Sequence, residues 1–594
     1  MAQRLRLLAR SLSLVVVLTM LLGPAALAQD ATPEASPVAD GAVPVASPVG
    51  SPEASPVAAV CEPFTSPTAA DERAAVEAAF PIEQPANTEG SYITGAVGDL
   101  QAINPVFLES DPSLTVAGYI FEGIVASNTD GQPVAGGLTD YYEIASDCVT
   151  YTFHLKTDKV WHDGTDVTSA DVAFSLEALA DESLASPYTG TFLDTVASWN
   201  AIDDDTIELV ATSARADFLY SIQLSIIPKH IWESVPRAEW VTDPGTTGQD
   251  PARVVGTGPF TFQSWTQGQE ITVARNDAYS PRPAWIANIT IRLYTDSAAQ
   301  FNAFLTGDID DMGLEPEQVS QVEADPETFS ITDYPTRGFT YYEFNVDPEV
   351  SVRFQDARVR QAFMWAIDRQ SIVDNILLGY GEVAYGTQPS ISYAYTQEGL
   401  DTAYTYDPAR ATALLAEAGW TDTNGDGTVD KDGVEMAFEF LYPSGLATND
   451  QLAAYFQDEW SKVGIGITPR ALEFSALIEA TTTTPTFEMA MYGFSWDASF
   501  IQDVMFGCDQ YQVGFNDMRY CNPELDALAD EIEITLDVEA RTALMIEYSN
   551  VVNEEQPIGV VNFGVGIQAW NNRMHNVFPS AWGGAGVDFI WIDA

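Results

Sequence analysis

An alternation of apolar and polar side chains marks the stretch 151–156. Tyr151, Phe153 and Leu155 alternate with three polar residues, which predicts a strand with one buried face. His154 falls on the polar face, so we expect it to be a solvated histidine. The pattern by itself therefore indicates scaffold at this histidine, without a catalytic role.

A helix is predicted directly after this strand. Residues 162–166, "HDGTD", have the composition of a turn, and Thr168 can then cap a helix. Asp171, three residues on, completes an approximate capping box. The apolar stripe of this helix comprises Val172, Leu176 and Leu179. Each residue of the stretch has a structural use, which again favours scaffold over a His-Asp catalytic pair.

A second amphipathic segment occupies residues 354–381. Val359, Phe363 and Ile367 lie on one face of a predicted helix, and Gly379 is a plausible terminator. The arginines of this segment are predicted to form its solvated face.

The N-terminus predicts export. Residues 1–28 carry early arginines, an uncharged apolar run and an Ala-x-Ala exit, which together indicate a signal peptide. Residues 29–60 are rich in Pro, Ala and Ser and are predicted to be a disordered linker. Cys61 follows Val60 and this long linker, so lipidation at Cys61 is rejected. We expect a periplasmic or extracellular protein associated with the cell envelope.

Charge and cysteine content narrow the class of protein. The chain has 25 basic and 86 acidic residues, a net charge of −61, which disfavours nucleic acid as a partner. Four cysteines in an exported chain suggest disulfides with three possible pairings. Cys508 and Cys521 are close in sequence and are paired first, which leaves Cys61 with Cys148.

Three long stretches carry a family resemblance. They are "YTFHLKTDKVWHDGTDVTSADVAFSL" (151–176), "VGTGPFTFQSWTQGQEITVARNDAY" (255–279) and "FQDARVRQAFMWAIDRQSIVDNILLGYG" (354–381). From about Tyr92 onward the chain resembles the family 5 extracellular solute-binding proteins, the oligopeptide, dipeptide and nickel receptors of ABC importers. The resemblance implies an α/β fold, a two-lobed periplasmic-binding-protein clamp (type II-like) with an extra domain inserted near the N-terminus.

The family's layout also suggests domain limits. Hinge strands are expected near Tyr341–Asn345 and Val560–Gly564. The predicted parts are lobe one (61–132, 201–336 and 560–594), the inserted domain (133–200) and lobe two (337–559).

The resemblance implies a ligand site in the run "YGFSWDASF" at 492–500. Asp497 stands where peptide-binding members anchor the peptide's amino group, and a buried carboxylate would select an ammonium. Tyr188, in "ASPYTG", is a second candidate from the inserted domain. A surface Asp behind a core Trp and a packed Pro-Tyr turn are the structural alternatives. The remaining candidate ligand-binding residues are Gly493, Phe494, Ser495 and Trp496.

One departure from the family concerns the ligand's carboxylate. Members that bind longer peptides place an Arg before this run, whereas this chain has Met489 and Met491 and no basic residue there. An apolar wall of methionines would suit a ligand without a carboxylate, or one whose carboxylate meets solvent.

A calcium-like loop, "DTNGDGTVDKDG", occupies 422–433. Its first-half ligands match an EF-hand, but Gly433 stands where a bidentate Glu is needed. A plain Asx-Gly turn is the preferred interpretation; no cofactor is expected, and calcium is the alternative. The candidate ligands are Asp422, Asn424, Asp426 and Asp430.

The resemblance implies a binding function. The first hypothesis is an importer receptor that takes peptides or peptide-like, amine-bearing solutes and delivers them to the transmembrane subunits of an ABC permease, acting as a monomer. The same fold with a nickel chelate, an oligosaccharide or an opine-like solute is the alternative. A secreted hydrolase is the enzyme hypothesis, and the sequence contains no G-x-S-x-G, H-E-x-x-H or P-loop to support it.

Overall fold

The structure is a computed structural model, and it describes residues 62–483, 485–511 and 514–593. The predicted signal peptide, the linker at 29–60 and Cys61 lie outside the described residues. In the part of the chain that is described, no helix has the length and apolar character needed to span a bilayer.

Helices surround the sheets. Those of seven residues or more are Ala69–Ala79, Asp111–Ile120, Ser169–Leu179, Thr189–Thr195, Ser297–Leu305, Pro316–Glu323, Ala357–Trp365, Arg369–Asn375, Pro408–Glu417, Ala447–Ser461, Pro523–Ile534 and Val538–Glu555. Four shorter ones are Phe218–Ser221, Lys229–Trp232, Phe474–Ile478 and Asp503–Phe506.

The opening stretch folds as the pattern predicts. The strand Thr150–Leu155 buries its three apolar side chains and leaves His154 on the other face, 3.4 Å from the carboxylate of Glu143. The helix Ser169–Leu179 follows, and the Asp171 carboxylate accepts a hydrogen bond from the Thr168 backbone N–H at 2.9 Å. The predicted strand, cap and buried stripe are confirmed.

The strand Thr150–Leu155 lies inside a five-stranded antiparallel sheet. In spatial order the strands are Phe64–Thr65, Thr139–Ile144, Thr150–Leu155, Thr206–Ala211 and Val196–Asp203. The first and fourth of these were assigned to lobe one by the domain limits inferred from sequence. Period-two alternation identifies a strand but not its neighbours, and only the pairing shows which sheet the strand joins.

A single eleven-stranded sheet runs through both lobes. In spatial order its strands are Gly466–Leu472, Ala437–Pro443, Met489–Ser495, Phe329–Phe344, Ile558–Asn571, Asp311–Gly313, Ser91–Val97, Asn288–Tyr294, Glu270–Arg275 and Phe260–Thr266, with Gly381–Val383 also pairing with Ile558–Asn571. Three two-stranded pieces complete the fold: Ala126–Ser127 with Pro133–Val134, Asp430–Lys431 with Val434–Glu435, and Met574–His575 with Trp591–Ile592.

Two long strands, Phe329–Phe344 and Ile558–Asn571, cross between the lobes. Their register shifts between Pro335 and Phe339, and within this bulge the Thr336 hydroxyl donates to the Gly564 carbonyl at 3.1 Å. From Gly338 onward the first strand is paired with Met489–Ser495 as well. The hinge near Tyr341–Asn345 stays a prediction.

Lobe two has an apolar core on each face of its sheet. Tyr342 and Phe344 pack on one face with Trp460, whereas Phe339 and Tyr341 pack on the other with Trp496. Because side chains alternate along the strand Phe329–Phe344, Phe339 and Tyr341 lie on the face that packs against the loop at Trp496. This loop carries the candidate ligand residues.

The prediction of a solvated arginine face on residues 354–381 is wrong for two arginines. Val359 and Phe363 are buried as predicted, but Arg360 and Arg369 are also buried, at 4% and 6% exposure. Arg360 donates to the Glu555 carbonyl at 2.6 and 2.9 Å, and Arg369 donates to the carbonyls of two other segments. Each guanidinium satisfies backbone carbonyls that no helix or sheet partner reaches.

Candidate functional site

The loop after the strand Met489–Ser495 is held firmly from one side. Trp496 is 2% exposed, and its indole Nε1 donates to the Thr387 carbonyl at 2.8 Å. Gln388 donates through Nε2 to the Phe500 carbonyl at 3.1 Å, and the Tyr393 hydroxyl donates to the Ser499 carbonyl at 2.9 Å. These bonds fix the position of the short segment between Trp496 and Phe500.

Asp497 projects from this fixed segment. Its Oδ1 accepts hydrogen bonds from the backbone N–H of Ser499 at 2.8 Å and from the Ser499 hydroxyl at 2.5 Å. The residue remains exposed to solvent, yet the surrounding protein removes bulk water and raises the pKa of its carboxyl, against the effect of the Ser499 hydrogen bonds. The Asp497 carboxyl is therefore reachable from solvent although protein surrounds it.

Asp217 and Tyr220, which the sequence assigned to lobe one, lie near Asp497. The charge of Asp217 further raises the pKa of Asp497, and the charge of Asp497 contributes to a raised pKa at Tyr220. The Tyr220 hydroxyl donates to Gln132 Oε1 at 2.8 Å, which holds it on the lobe-one side.

The lobes are in contact in this structure. The backbone N–H of Ala216 donates to the Glu533 carbonyl at 2.6 Å, which joins lobe one to the end of the lobe-two helix Pro523–Ile534. This bond ties the segment at Ala216 to the last turn of that helix.

Arg337 is a cleft cation that sequence reasoning missed. It lies in the bulge where the strand Phe329–Phe344 crosses between lobes, and its Nη1 donates to the Trp496 carbonyl at 3.2 Å. Burial lowers its pKa, and the charge of Asp497 opposes that shift. No nitrogen of Arg337 comes within 4.0 Å of the Asp497 carboxylate, so the two charges are neighbours without forming an ion pair. A lone Arg at the expected lobe crossing was the available signal.

The methionine wall inferred from the sequence is wrong. Met489 and Met491 are both 0% exposed and belong to the lobe-two core that contains Trp460. Successive residues of a strand face opposite sides, and these two point away from the side on which Trp496 packs.

The other predicted ligand residues differ in their surroundings and in their exposure to solvent. Gly493 pairs with Thr340 in the sheet, and the ring of Phe494 packs 5.0 Å from that of Phe515. Ser495 is half-buried at the strand end. The buried Trp496 shapes the loop and has almost no ring surface left to offer a ligand.

Tyr188 lies apart from this group. Its hydroxyl donates to the Leu108 carbonyl at 2.8 Å, and its ring packs against the core of the five-stranded sheet. Among the described residues, no hydrogen bond joins Tyr188 to Asp497 or its neighbours. The contacts that the structure does give it are those of a packed Pro-Tyr turn.

The calcium-like loop uses its carboxylates internally. Asp422 accepts from the backbone N–H groups of Gly425 at 2.6 Å and Gly427 at 3.0 Å, and Asp430 accepts from Thr423 at 2.7 to 2.9 Å. This is the hydrogen bonding of an Asx-Gly turn. Calcium binding at this loop stays a prediction.

The predicted disulfide between Cys508 and Cys521 is present. Cys148 is also disulfide-bonded, and Cys61, its predicted partner, lies outside the described residues.

Comparison with known proteins now adds to this geometry. The family model described as "Bacterial extracellular solute-binding proteins, family 5 Middle" matches residues 133–512, more than half of the chain. The chain belongs to this family. As a family 5 solute-binding protein it is an extracytoplasmic binding protein and not an enzyme.

Individual relatives agree in fold and differ in ligand. The oligopeptide-binding protein AppA of Bacillus subtilis is 27% identical over 478 residues, 79% of this chain and 85% of that protein. Its structure with a nonapeptide has a TM-score of 0.67 at 24% identity, covering 86% of this chain and all of that one. NikZ of Campylobacter jejuni, in complex with Ni(L-His), has a TM-score of 0.68 at 23% identity, covering 84% and 97%.

Proposed function

We propose that this family 5 protein is the receptor of an ABC importer and captures a peptide or peptide-like solute through its free amino group. The ligand would lie in the cleft between the lobes, with its ammonium on Asp497. Lobe closure around the ligand would then present the closed form to the transmembrane subunits of a permease.

The state of the Asp497 carboxylate carries this proposal. Ser499 makes both of its hydrogen bonds to Oδ1. Among the described residues, no donor bonds to Oδ2, although the carboxyl is enclosed by protein and exposed to the cleft. A fixed carboxylate with one free oxygen suits an ammonium, and partial removal of water strengthens that attraction.

Arg337 extends the proposal to the other end of the ligand. Its Nη1 is bonded to Trp496, and Nε and Nη2 make no hydrogen bond to the described residues. A guanidinium near but not touching Asp497 suits the carboxylate of a short ligand with both termini free. A ligand without a carboxylate, or one whose carboxylate meets solvent, is the alternative.

The first experiment identifies what the purified protein carries. Native mass spectrometry of the mature protein, before and after mild denaturing dialysis, should reveal heterogeneous bound masses that fit short peptides. One discrete non-peptide mass, such as a nickel chelate, would keep the receptor role and replace the ligand.

The second experiment tests Asp497 directly. Calorimetry with an Ala-Xaa-Ala tripeptide library should show that Asp497→Asn weakens binding by about 2 kcal/mol or more, roughly thirtyfold. Asp204→Asn is the matched control, because Asp204 is an exposed aspartate in a hairpin turn of the five-stranded sheet. Unchanged affinity in Asp497→Asn would remove Asp497 from the site, and N-acetylated tripeptides that bind normally would remove the amino group from recognition.

A further inference from the structure

Trp582 stands on a C-terminal loop of lobe one that is built from turns. The Ser580 hydroxyl oxygen accepts hydrogen bonds from the N–H groups of Trp582 at 3.1 Å and Gly584 at 2.9 Å. Gly583 and Gly584 have φ of +87° and +63°, which a residue with a side chain adopts with difficulty. The loop therefore presents its indole from a defined backbone.

The indole rests on lobe one at a site shaped for it. Gly131, in the turn between Ala126–Ser127 and Pro133–Val134, has φ of +75°. A Cβ atom at Gly131 would lie 2.5 Å from the ring of Trp582, which is too close for any side chain. The bare backbone of this turn thus forms a shelf under the ring.

The other contacts of the same ring belong to the cleft side of lobe two and the lobe crossing. The ring of Phe500 meets it edge to face, with centroids 6.0 Å apart and an interplanar angle of 89°. The guanidinium carbon of Arg337 lies 5.1 Å from its centre, a cation–π arrangement. Trp582 also packs against the apolar core that contains Trp496.

We propose that Trp582 is a closure residue, which stabilises the closed clamp by bridging the Gly131 shelf of lobe one to Phe500 and Arg337 beside Asp497. This inference rests on the proposed function of the cleft. Separation of the lobes would break the Phe500 contact, because the two rings are carried by different lobes. A residue that stabilises the closed form around its ligand raises apparent affinity by slowing release.

The ring also sets what the closed cleft can hold. The ring of Trp582 packs against the guanidinium of Arg337, whose Nη1 is bonded to the Trp496 carbonyl. Trp582 is thus a positioning residue for Arg337 as well as a contact across the lobes.

The test compares Trp582→Ala and Trp582→Phe with Trp285→Ala. Trp285 is the matched control because it meets Phe589 at 5.8 Å and Arg282 at 4.2 Å, all within lobe one. Stopped-flow kinetics with the Ala-Xaa-Ala library should show dissociation about tenfold faster for Trp582→Ala, the size expected for one aromatic and one cation–π contact. Association should be nearly unchanged, Trp582→Phe should lie between, and Trp285→Ala should match the wild type.

Small-angle scattering of the ligand-free proteins separates this inference from the proposed function. Trp582→Ala should shift the population toward a larger radius of gyration, whether or not tripeptides prove to be the ligand. A wild-type protein that binds no tripeptide would overturn the peptide proposal alone, and scattering would then decide the closure role. The closure role would be overturned if Trp582→Ala had the same scattering as the wild type and, where a ligand allows the measurement, the same dissociation rate. Thermal unfolding identifies a variant that has lost its fold, in which case Phe500→Ala replaces it as the probe of the same contact.

Discussion

Replacing Arg360 with alanine should destabilise lobe two by about 3 to 5 kcal/mol. The guanidinium donates within 3.1 Å to three backbone carbonyls, those of Phe354 at 2.7 Å, Glu555 at 2.6 and 2.9 Å, and Gln556 at 3.1 Å. The last two end the helix Val538–Glu555, whose final carbonyls have no partner of their own in the helix. Arg360 is therefore a buried C-terminal cap.

The magnitude follows from what alanine would leave behind. Three carbonyls would lose a charged donor in a buried place, and each such loss costs about 1 to 3 kcal/mol. The favourable interaction of a cation with a helix C-terminus adds about 0.3 to 1 kcal/mol. Water entering the vacated space would recover part of the sum, which gives the estimate above.

Arg358→Ala is the matched control for this prediction. Arg358 lies two residues away on the same helix, its side chain is 46% exposed, and it pairs with Asp356 at 2.6 Å. Exposed pairs of this kind contribute about 1 kcal/mol or less. Urea unfolding, with hydrogen exchange of the amides in Val538–Glu555, should separate the two variants. Equal stabilities for Arg360→Ala and Arg358→Ala would refute the capping argument.

Two further predictions concern pH and ligand termini. Burial holds the pKa of His162 below its ordinary value of 6.5, and the hydrogen bond between Nε2 and the Gly258 carbonyl at 3.0 Å opposes that shift. The Gly256 N–H donates to Nδ1 at 3.2 Å, so the folded protein uses the neutral ring as an acceptor. The unfolded chain thus takes up the proton more readily, so the stability that His162 contributes is complete above about pH 6.5 and is lost as the pH falls below it. Urea unfolding at about pH 7.5 and about pH 5.5 measures how much the free energy of unfolding falls on acidification. This fall should be smaller in His162→Asn than in the wild type or in His154→Asn. The same fall in all three proteins would contradict the prediction. Arg337→Gln should weaken binding of tripeptides with a free carboxylate about tenfold in calorimetry and leave C-terminal amides nearly unaffected, and an equal loss for both would contradict the assigned contact.

The local sequence pattern was sufficient to predict elements whose structure depends on residues close together in the chain. The buried side chains of Thr150–Leu155 and the capped helix from Thr168 follow from alternation and capping chemistry within a few residues. The two-lobed α/β fold came from long stretches with a family resemblance, which carry more information than periodicity. The proposal of a ligand site around Asp497 came from the same resemblance.

Pattern was insufficient where the partner is remote in sequence. Arg360 lies between apolar positions and resembles a surface arginine, since nothing near it shows that the end of Val538–Glu555 will pack on it. The sequence predicts Met489 and Met491 as a wall of the ligand site, and this is wrong. Which face of a strand is buried in which core depends on the neighbouring strands, and the sequence of one strand does not show them. Arg337 lies in a register shift between two long strands and donates to the Trp496 carbonyl next to Asp497, an arrangement that the local sequence does not reveal.

The charges of the cleft suggest why one carboxylate is assigned to the ligand although two lie near. Asp217 is engaged by Arg215, which makes two contacts of 2.5 Å to its two oxygens. Asp497 has only the neutral donors of Ser499 and keeps one oxygen without a donor among the described residues. An incoming ammonium would therefore find a carboxylate without an ion pair among the described residues at Asp497 and a paired one at Asp217. Ala216 lies between Arg215 and Asp217, and its N–H donates to the Glu533 carbonyl on the other lobe. The segment in which Arg215 pairs with Asp217 is therefore also a contact between the lobes.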